Sequence, residues 1–209
     1  MNYKNLIFDV DGTLVDNELA VISAWKEMLK GLQNREYETE ELSFVLGIPG
    51  EVTLAKFGVK DTRSAFQVWT TYFQKYRSTI RLFDGIPEVL EQLQGKGYNL
   101  GIVTSKTQEE FVNDTVLQQV AGYFDTVICV TDTPRPKPFP DPILAYLKKA
   151  DAAPDETLYI GDTGYDSQCA RSAGIDFGLA KWGSTSPVKV EATFQLNTPQ
   201  EILTVLKGK

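Results

Sequence analysis

The sequence contains no histidine and only two cysteines. Histidine is the commonest general base and metal ligand at neutral pH. Its absence therefore excludes Ser-His-Asp and Cys-His hydrolases and leaves acid–base chemistry to carboxylates or lysine. The two cysteines, Cys129 and Cys169, lie far apart and form no Cys-x-x-Cys pair, which argues against zinc and redox motifs. We expect both to be reduced, buried thiols.

Long apolar runs and an excess of basic residues are also missing. No run approaches the length of a membrane span, and the N-terminus lacks the basic-then-apolar layout of a signal peptide. The formal net charge is −7, whereas general nucleic-acid binding needs a basic face. The sequence therefore predicts a cytoplasmic globular protein that binds neither membranes nor nucleic acids.

The first predicted strand covers residues 6–8, an apolar run that ends abruptly in acid. Asp9 and Asp11 follow it, and side chains two residues apart in a strand can point the same way. Two carboxylates held close together favour a bound cation or a shared proton. A calcium loop does not fit, because such a loop needs glutamate at its twelfth position, which is Ala20 when counted from Asp9. An ordinary solvated turn remains open at this point.

Residues 16–82 show apolar side chains at helical spacing throughout. We expect four helices, with Trp25 in the first, a second that ends at residues 47–50, a short third at 52–57 and an aromatic-rich fourth at 65–76. We interpret these aromatics as a core rather than a ligand site. No strand-like run interrupts the segment, so it is predicted to be an all-helical insertion.

From residue 83 onward, predicted strands alternate with predicted helices, which is typical of a doubly wound parallel α/β sheet. The expected helices include one that runs through Val116 and one that begins with Asp141 as its cap. The expected strands cover residues 100–103, 126–130, 158–160, 175–179 and 192–196. Residues 1–15 and 83–209 would thus form one α/β core, with residues 16–82 inserted after the first strand.

Polar side chains collect where successive strands are predicted to end. In a parallel sheet these ends lie on one edge, so the side chains can converge on one crevice. Carboxylates suit a hard cation such as Mg²⁺, while a hydroxyl and an ammonium suit phosphate oxygens. With no histidine or reactive cysteine, the available nucleophile is a carboxylate, which can form an aspartyl-phosphate. The converging residues are Asp9, Asp11, Thr104, Ser105, Lys137, Asp162 and Asp166.

These residues resemble the four motifs of the phosphatases in the haloacid dehalogenase superfamily. The motifs occur in family order at residues 9–16, at 103–106, at Lys137-Pro138 with Pro140-Asp141, and at Gly161-Asp162 with Asp166. The resemblance implies a Rossmann-like core with a small helical cap. It also implies that Asp9 is the nucleophile, that Asp11 is the general acid and base, and that Thr104 and Lys137 hold the transferring phosphoryl group.

The resemblance further implies a Mg²⁺ cofactor. Asp9 and Asp162 would bind the metal directly, the backbone carbonyl of Asp11 would add a ligand, and Asp166 would act through water. Additional residues are expected to contact the substrate: Gly12, Thr13, Asn17, Glu18, Gly47, Ser105 and Lys106.

Within the superfamily the chain looks most like the phosphoglycolate phosphatases, although Asn17-Glu18 and the loop at residues 131–140 depart from their pattern. A pyrophosphatase or sugar-phosphate phosphatase is an alternative. The similar β-phosphoglucomutases usually carry a cap histidine that this chain lacks. Outside the enzymes, a phospho-receiver domain and a non-catalytic sugar-phosphate binder are the rivals, but Asp11 and the helical insertion favour turnover. We expect a small phosphorylated metabolite as partner and a monomer or weak homodimer.

Overall fold

The computed structural model describes residues 2–46, 50–184 and 189–207. Six of its strands form one sheet in the order β5-β4-β1-β6-β7-β8, and every pairing in that sheet is parallel. The other two strands, β2 and β3, form a separate antiparallel ribbon. The strands are β1 (Asn5–Phe8), β2 (Val15–Asp16), β3 (Arg81–Leu82), β4 (Asn99–Val103), β5 (Thr126–Ile128), β6 (Thr157–Gly161), β7 (Asp176–Ala180) and β8 (Phe194–Leu196).

In chain order the helices are α1 (Glu18–Gln33), α2 (Thr39–Leu42), α3 (Gly50–Lys56), α4 (Thr62–Lys75), α5 (Ile86–Gly95), α6 (Gln108–Asn113), α7 (Asp141–Lys149), α8 (Gly164–Ala173) and α9 (Glu201–Lys207). Of these, α5 and α9 pack on one face of the six-stranded sheet and α7 and α8 on the other. Leu6 and Phe8 of β1 belong to the core shared with α5 and α9, whereas Ile7 belongs to the core shared with α7 and α8. This alternation buries β1 on both faces and confirms the predicted doubly wound α/β fold.

Helices α1 to α4 lie between β2 and β3 and have a hydrophobic cluster of their own. Trp25 is 2% exposed, and its ring lies 6.0 Å from that of Trp69. Trp25 is thus a core residue, whereas Trp69 is half-buried and packs against the same cluster. The two ends of the insertion meet in the ribbon, where Val15 pairs with Leu82 and Asp16 with Arg81.

Several predicted boundaries are wrong, for local reasons. Helix α6 ends at Asn113 rather than continuing through Val116, because the Asp114 carboxylate accepts the N–H groups of Val116 and Leu117 and starts a 3₁₀ turn. Asp141 is not the cap of α7, whose N-cap is Pro140; the Asp141 carboxylate instead binds Arg135.

Other differences concern strands. The strand predicted at 126–130 stops at Ile128, because residues 130–132 form a 3₁₀ turn. Residues 16–82 are not purely helical, since β2 and β3 occupy their two ends.

Cys129 and Cys169 are buried free thiols, as predicted. In the described ranges, none of the helices is long and apolar enough to cross a membrane.

Candidate active site

The loop after β1 is a tight turn at the carboxyl end of the central strand. Three successive amides, those of Thr13, Leu14 and Val15, donate to the carbonyl of Val10. Gly12 has φ +79°, and a Cβ atom there would lie 2.3 Å from Oδ2 of Asp162. A glycine is therefore required at position 12 both for the left-handed backbone and for the close approach of the Asp162 carboxylate.

Three buried carboxylates meet beside this turn. Oxygen atoms of Asp9, Asp162 and Asp166 all lie within 4.8 Å of one another, and the three residues are at most 5% exposed. The Asp162 carboxylate also accepts a hydrogen bond of 3.0 Å from the hydroxyl of Thr13. Because hard oxygen donors suit Mg²⁺ and buried like charges repel one another, this donor set fits a divalent cation.

Lys137 brings positive charge into the same cluster. Its Nζ atom lies 3.0 Å from Oδ2 of Asp9 and 2.7 Å from Oδ1 of Asp166. The ammonium also donates to the hydroxyl of Tyr159 at 3.2 Å. The single proton of that hydroxyl has two acceptors within reach, Oδ1 of Asp166 at 2.8 Å and the carbonyl of Val103 at 3.2 Å. Lys137 therefore connects the candidate nucleophile, Asp9, with Asp166.

The protonation behaviour of the three carboxylates differs. Burial raises the pKa of Asp9 to about 7, against the attraction of Lys137 and with added repulsion from Asp166 and Asp11. Burial, followed by repulsion from Asp166 and Asp9, raises the pKa of Asp162 well above its ordinary value. Burial acts to raise the pKa of Asp166, but the charge of Lys137 and the hydrogen bonds from Lys137, Thr163 and Tyr159 together outweigh it, and the pKa of Asp166 is lowered. The cluster thus favours a bound cation at neutral pH.

Asp11 lies in a second cluster, at the edge of the first. Its Oδ1 atom accepts from Nδ2 of Asn17 at 2.5 Å and from Nζ of Lys106 at 2.9 Å. The Asp11 carboxylate is not among the three grouped carboxylates. Thr104 is buried, and its Oγ1 accepts the backbone N–H of Lys106 at 3.1 Å.

The remaining predicted substrate contacts are placed as follows. Gly12 and Thr13 approach Asp162, on the side of the candidate metal site. Glu18 lies in the first turn of α1, where burial and then the charge of Asp16 raise its pKa. Ser105 is half-buried, between Thr104 and Lys106. Gly47 lies outside the described residues.

Some residues of the site were not anticipated from the sequence. Tyr159 lies in the buried strand β6 among apolar residues, so the local sequence does not indicate that its hydroxyl contacts Lys137. The hydroxyl of Thr163 accepts the backbone N–H of Asp166 and donates to its carboxylate, so the two residues form a capping box at the start of α8. A threonine three residues before an acid is a sequence signal for this motif. Trp182 donates its indole N–H to the carbonyl of Thr13 at 2.9 Å and thereby supports the turn after β1.

Comparisons with known proteins identify the family of this chain. The profile of the family "Haloacid dehalogenase-like hydrolase" matches residues 6–180. The chain is 26% identical to pyrophosphatase PpaX of Bacillus thuringiensis (strain Al Hakam), over 99% of this chain and 97% of the relative. It is 28% identical to a protein of Caldanaerobacter subterraneus provisionally named pyrophosphatase PpaX, over 100% of this chain and 96% of the relative.

Solved structures give the same result. A protein from Lactobacillus plantarum, provisionally named a phosphoglycolate phosphatase, superposes with a TM-score of 0.87 at 28% identity, over 98% of this chain and 100% of the other. A haloacid dehalogenase-like hydrolase from Streptococcus pneumoniae superposes with a TM-score of 0.80 at 26% identity, over 98% and 99% of the two chains. Since the family profile extends from β1 to the end of β7, this chain belongs to the haloacid dehalogenase-like hydrolases.

Proposed function

We propose that this hydrolase is a Mg²⁺-dependent phosphatase that cleaves small phosphate monoesters through an aspartyl-phosphate on Asp9. One observation carries the proposal: Lys137 lies between Asp9 and Asp166, and Asp162 lies in the same group of carboxylates. A carboxylate nucleophile next to a fixed ammonium and a set of cation ligands is suited to phosphoryl transfer.

The reaction has two steps on the same carboxylate. In the first, an oxygen of Asp9 attacks phosphorus, the bond from phosphorus to the ester oxygen breaks, and Asp11 donates a proton to the leaving alcohol. In the second, water attacks phosphorus, Asp11 takes a proton from that water, and the Asp9 carboxylate leaves as inorganic phosphate forms. Lys137 and Thr104 hold the phosphoryl oxygens throughout.

The cofactor follows from the charges of the site. Asp9 and Asp162 would hold Mg²⁺ directly, with Asp166 acting through water and Asp11 adding its backbone carbonyl. When bound, the metal offsets repulsion between these carboxylates and a phosphate dianion and stabilises the charge that develops during transfer. Because burial raises the pKa of Asp9 to about 7, a nearby cation also favours the ionised form that acts as nucleophile.

We propose a phosphoglycolate-like monoester as the substrate class, which the L. plantarum structure supports through its provisional name. Hydrolysis of pyrophosphate is the second candidate, because relatives named pyrophosphatase PpaX match this chain over nearly their whole length. In both cases residues 16–82 are proposed to act as a cap that excludes water and contacts the non-reacting part of the substrate. The cytoplasmic location and the monomer or weak homodimer remain predictions.

A panel assay tests this function. The purified protein is dialysed against EDTA and incubated with p-nitrophenyl phosphate, 2-phosphoglycolate, a sugar phosphate or pyrophosphate, with and without Mg²⁺. We expect many turnovers of phosphate release only with Mg²⁺, and the highest kcat/KM for one monoester. Full activity without the metal would contradict the proposed cofactor. Stoichiometric labelling without turnover would favour a receiver domain, and a preference for pyrophosphate would select the second candidate.

A further inference from the structure

The ammonium of Lys106 contacts two carboxylates, those of Asp11 and Asp114. Its Nζ atom lies 2.9 Å from Oδ1 of Asp11 and 3.1 Å from Oδ2 of Asp114, and its side chain is only 15% exposed. Burial by itself lowers the pKa of the Lys106 ammonium, but the carboxylates of Asp11 and Asp114 outweigh burial and raise it above its ordinary value. The charge of this lysine is therefore already matched within the protein.

The backbone around this lysine is fixed as well. The N–H of Lys106 donates to Oγ1 of Thr104 at 3.1 Å, and its carbonyl accepts the N–H of Val130 at 2.9 Å. Asp114, which contacts the ammonium end of the Lys106 side chain, is also held in place, because its Oδ1 accepts the N–H groups of Val116 and Leu117. A long side chain held at both ends loses little further entropy when it orients a partner.

The two donors that reach Asp11 meet at a single oxygen. Lys106 and Asn17 both donate to Oδ1, and neither of these bonds ends on Oδ2. An oxygen that accepts two N–H bonds is the carbonyl oxygen when the acid is protonated, so the proton belongs on Oδ2. The hydrogen bonds thus determine which oxygen of Asp11 can give up a proton.

We propose that Lys106 is a positioning residue that, together with Asn17, holds Oδ1 of Asp11 so that Oδ2 donates the proton to the leaving oxygen. Asp114 is the anchor that holds Lys106 in place. This inference rests on the proposed function, because it concerns the step in which the bond from phosphorus to the ester oxygen breaks and the alcohol leaves with the proton of Asp11. It differs from the sequence-based prediction that Lys106 contacts the substrate.

Three esters distinguish these roles through kcat/KM, which reports the steps up to departure of the leaving group. p-Nitrophenolate leaves without a proton, ethanol needs one, and glycolate needs one and also carries a carboxylate that a substrate-binding lysine would recognise. The substrates are p-nitrophenyl phosphate, ethyl phosphate and 2-phosphoglycolate, each with saturating Mg²⁺. The ratio of kcat/KM between two esters does not depend on the fraction of folded enzyme.

For Lys106→Met we expect kcat/KM to fall by at least about 10-fold for both alkyl esters, and by less than about 3-fold for p-nitrophenyl phosphate. Asp114→Asn should also lower kcat/KM for the alkyl esters relative to p-nitrophenyl phosphate, but to a smaller extent. The asparagine keeps an Oδ1 atom that can accept the N–H of Val116 but loses the negative charge that holds Lys106. Lys106→Arg, which retains the charge, should recover part of the loss. The control is Lys148→Met, a substitution at an exposed lysine of α7.

Two results would overturn the inference. A loss confined to 2-phosphoglycolate would show that Lys106 binds the substrate, and equal losses for all three esters would show a merely structural role. If the wild-type protein hydrolyses none of the esters with Mg²⁺, the proposed function fails first, and this inference fails with it.

Discussion

The ammonium of Lys137 lies 3.0 Å from Oδ2 of Asp9, and both side chains are almost fully buried. Removing one partner of a buried ion pair leaves an uncompensated charge, which typically destabilises a protein by about 3–5 kcal/mol. Here Lys137 also neutralises Asp166, so its loss would leave three neighbouring carboxylates without a cation when no metal is bound.

The first prediction concerns this lysine. In metal-free protein, Lys137→Met should lower the free energy of unfolding by about 3–5 kcal/mol at pH 8. The loss should be smaller at pH 5, because the carboxylates can then be protonated. Urea titrations at both pH values measure the effect, with Lys148→Met as the exposed control. An equal loss at the two pH values would contradict the electrostatic explanation.

A second prediction follows from the raised pKa of Asp9. Its carboxyl titrates near 4 in the unfolded chain and at about 7 in the folded protein, so the folded state binds more protons between these values. Without metal, the free energy of unfolding should therefore fall as the pH rises from about 4 to about 7. The pKa of Asp162 is raised as well, so this residue contributes to the pH dependence in the same direction. The lowered pKa of Asp166 affects the free energy of unfolding only below about pH 4, the ordinary pKa of an aspartate.

The same linkage predicts how Mg²⁺ stabilises the protein. Metal and protons compete for Asp9 and Asp162, so the rise in Tm on adding Mg²⁺ should be larger at pH 8 than at pH 5. At 100 times the Kd the stabilisation should reach about 2.7 kcal/mol. Differential scanning calorimetry measures it, with NaCl at matched ionic strength as control. A shift that is independent of pH would mean that these carboxylates do not bind the metal.

A third prediction uses two glycines with similar positive φ angles but different surroundings. Gly12 and Gly58 have φ +79° and +72°, so alanine at either position costs roughly 1–2 kcal/mol. Only at Gly12 would the new methyl group collide with Asp162, since nothing lies within 4 Å at Gly58. Gly12→Ala should therefore also lower kcat/KM by at least about 10-fold and raise the Mg²⁺ requirement. Unchanged activity in Gly12→Ala would contradict the role of Asp162.

A fourth prediction concerns the hydroxyl of Tyr159. Tyr159→Phe removes an acceptor from Lys137 and the one O–H donor that lies within reach of both Asp166 and the Val103 carbonyl, at a cost of about 1–3 kcal/mol in stability. Because the lysine then loses part of its support, kcat should fall while KM changes little. Urea titration and steady-state kinetics measure both effects, with the equally buried Tyr146→Phe in α7 as control. A larger effect at Tyr146 would contradict this role.

The sequence predicts the sheet and the strand-end aspartates because both depend on short-range patterns. The apolar run at residues 6–8 followed by Asp9 is enough to place a buried strand and its functional end. It does not predict the end of α6, because the Asp114 side chain competes with helical hydrogen bonding in a way that apolar periodicity does not register.

The roles of Tyr159 and Lys106 depend on contacts between distant segments. A tyrosine in an apolar strand is usually core, and only the folded sheet brings its hydroxyl to Lys137. Lys106 lies two residues after Thr104, which is predicted to hold the phosphoryl group, and the sequence therefore predicts that Lys106 contacts the substrate. In the structure its partners are instead Asp11, in the loop after β1, and Asp114, just after α6. The predicted substrate contact at Gly47 is not tested, since residues 47–49 lie outside the described part of the chain.

The nucleophilic role of Asp9 can be tested directly by trapping. The wild-type protein is mixed with p-nitrophenyl phosphate and Mg²⁺, quenched in acid during turnover and reduced with borohydride, which converts an aspartyl-phosphate to homoserine. Peptide mass spectrometry should then find homoserine at position 9, and only while substrate remains. The Asp9→Asn variant should show neither homoserine at that position nor turnover. The control variant Asp155→Asn, at an exposed aspartate, should behave as wild type. Rapid hydrolysis by Asp9→Asn, or homoserine at another aspartate with position 9 unmodified, would contradict the account.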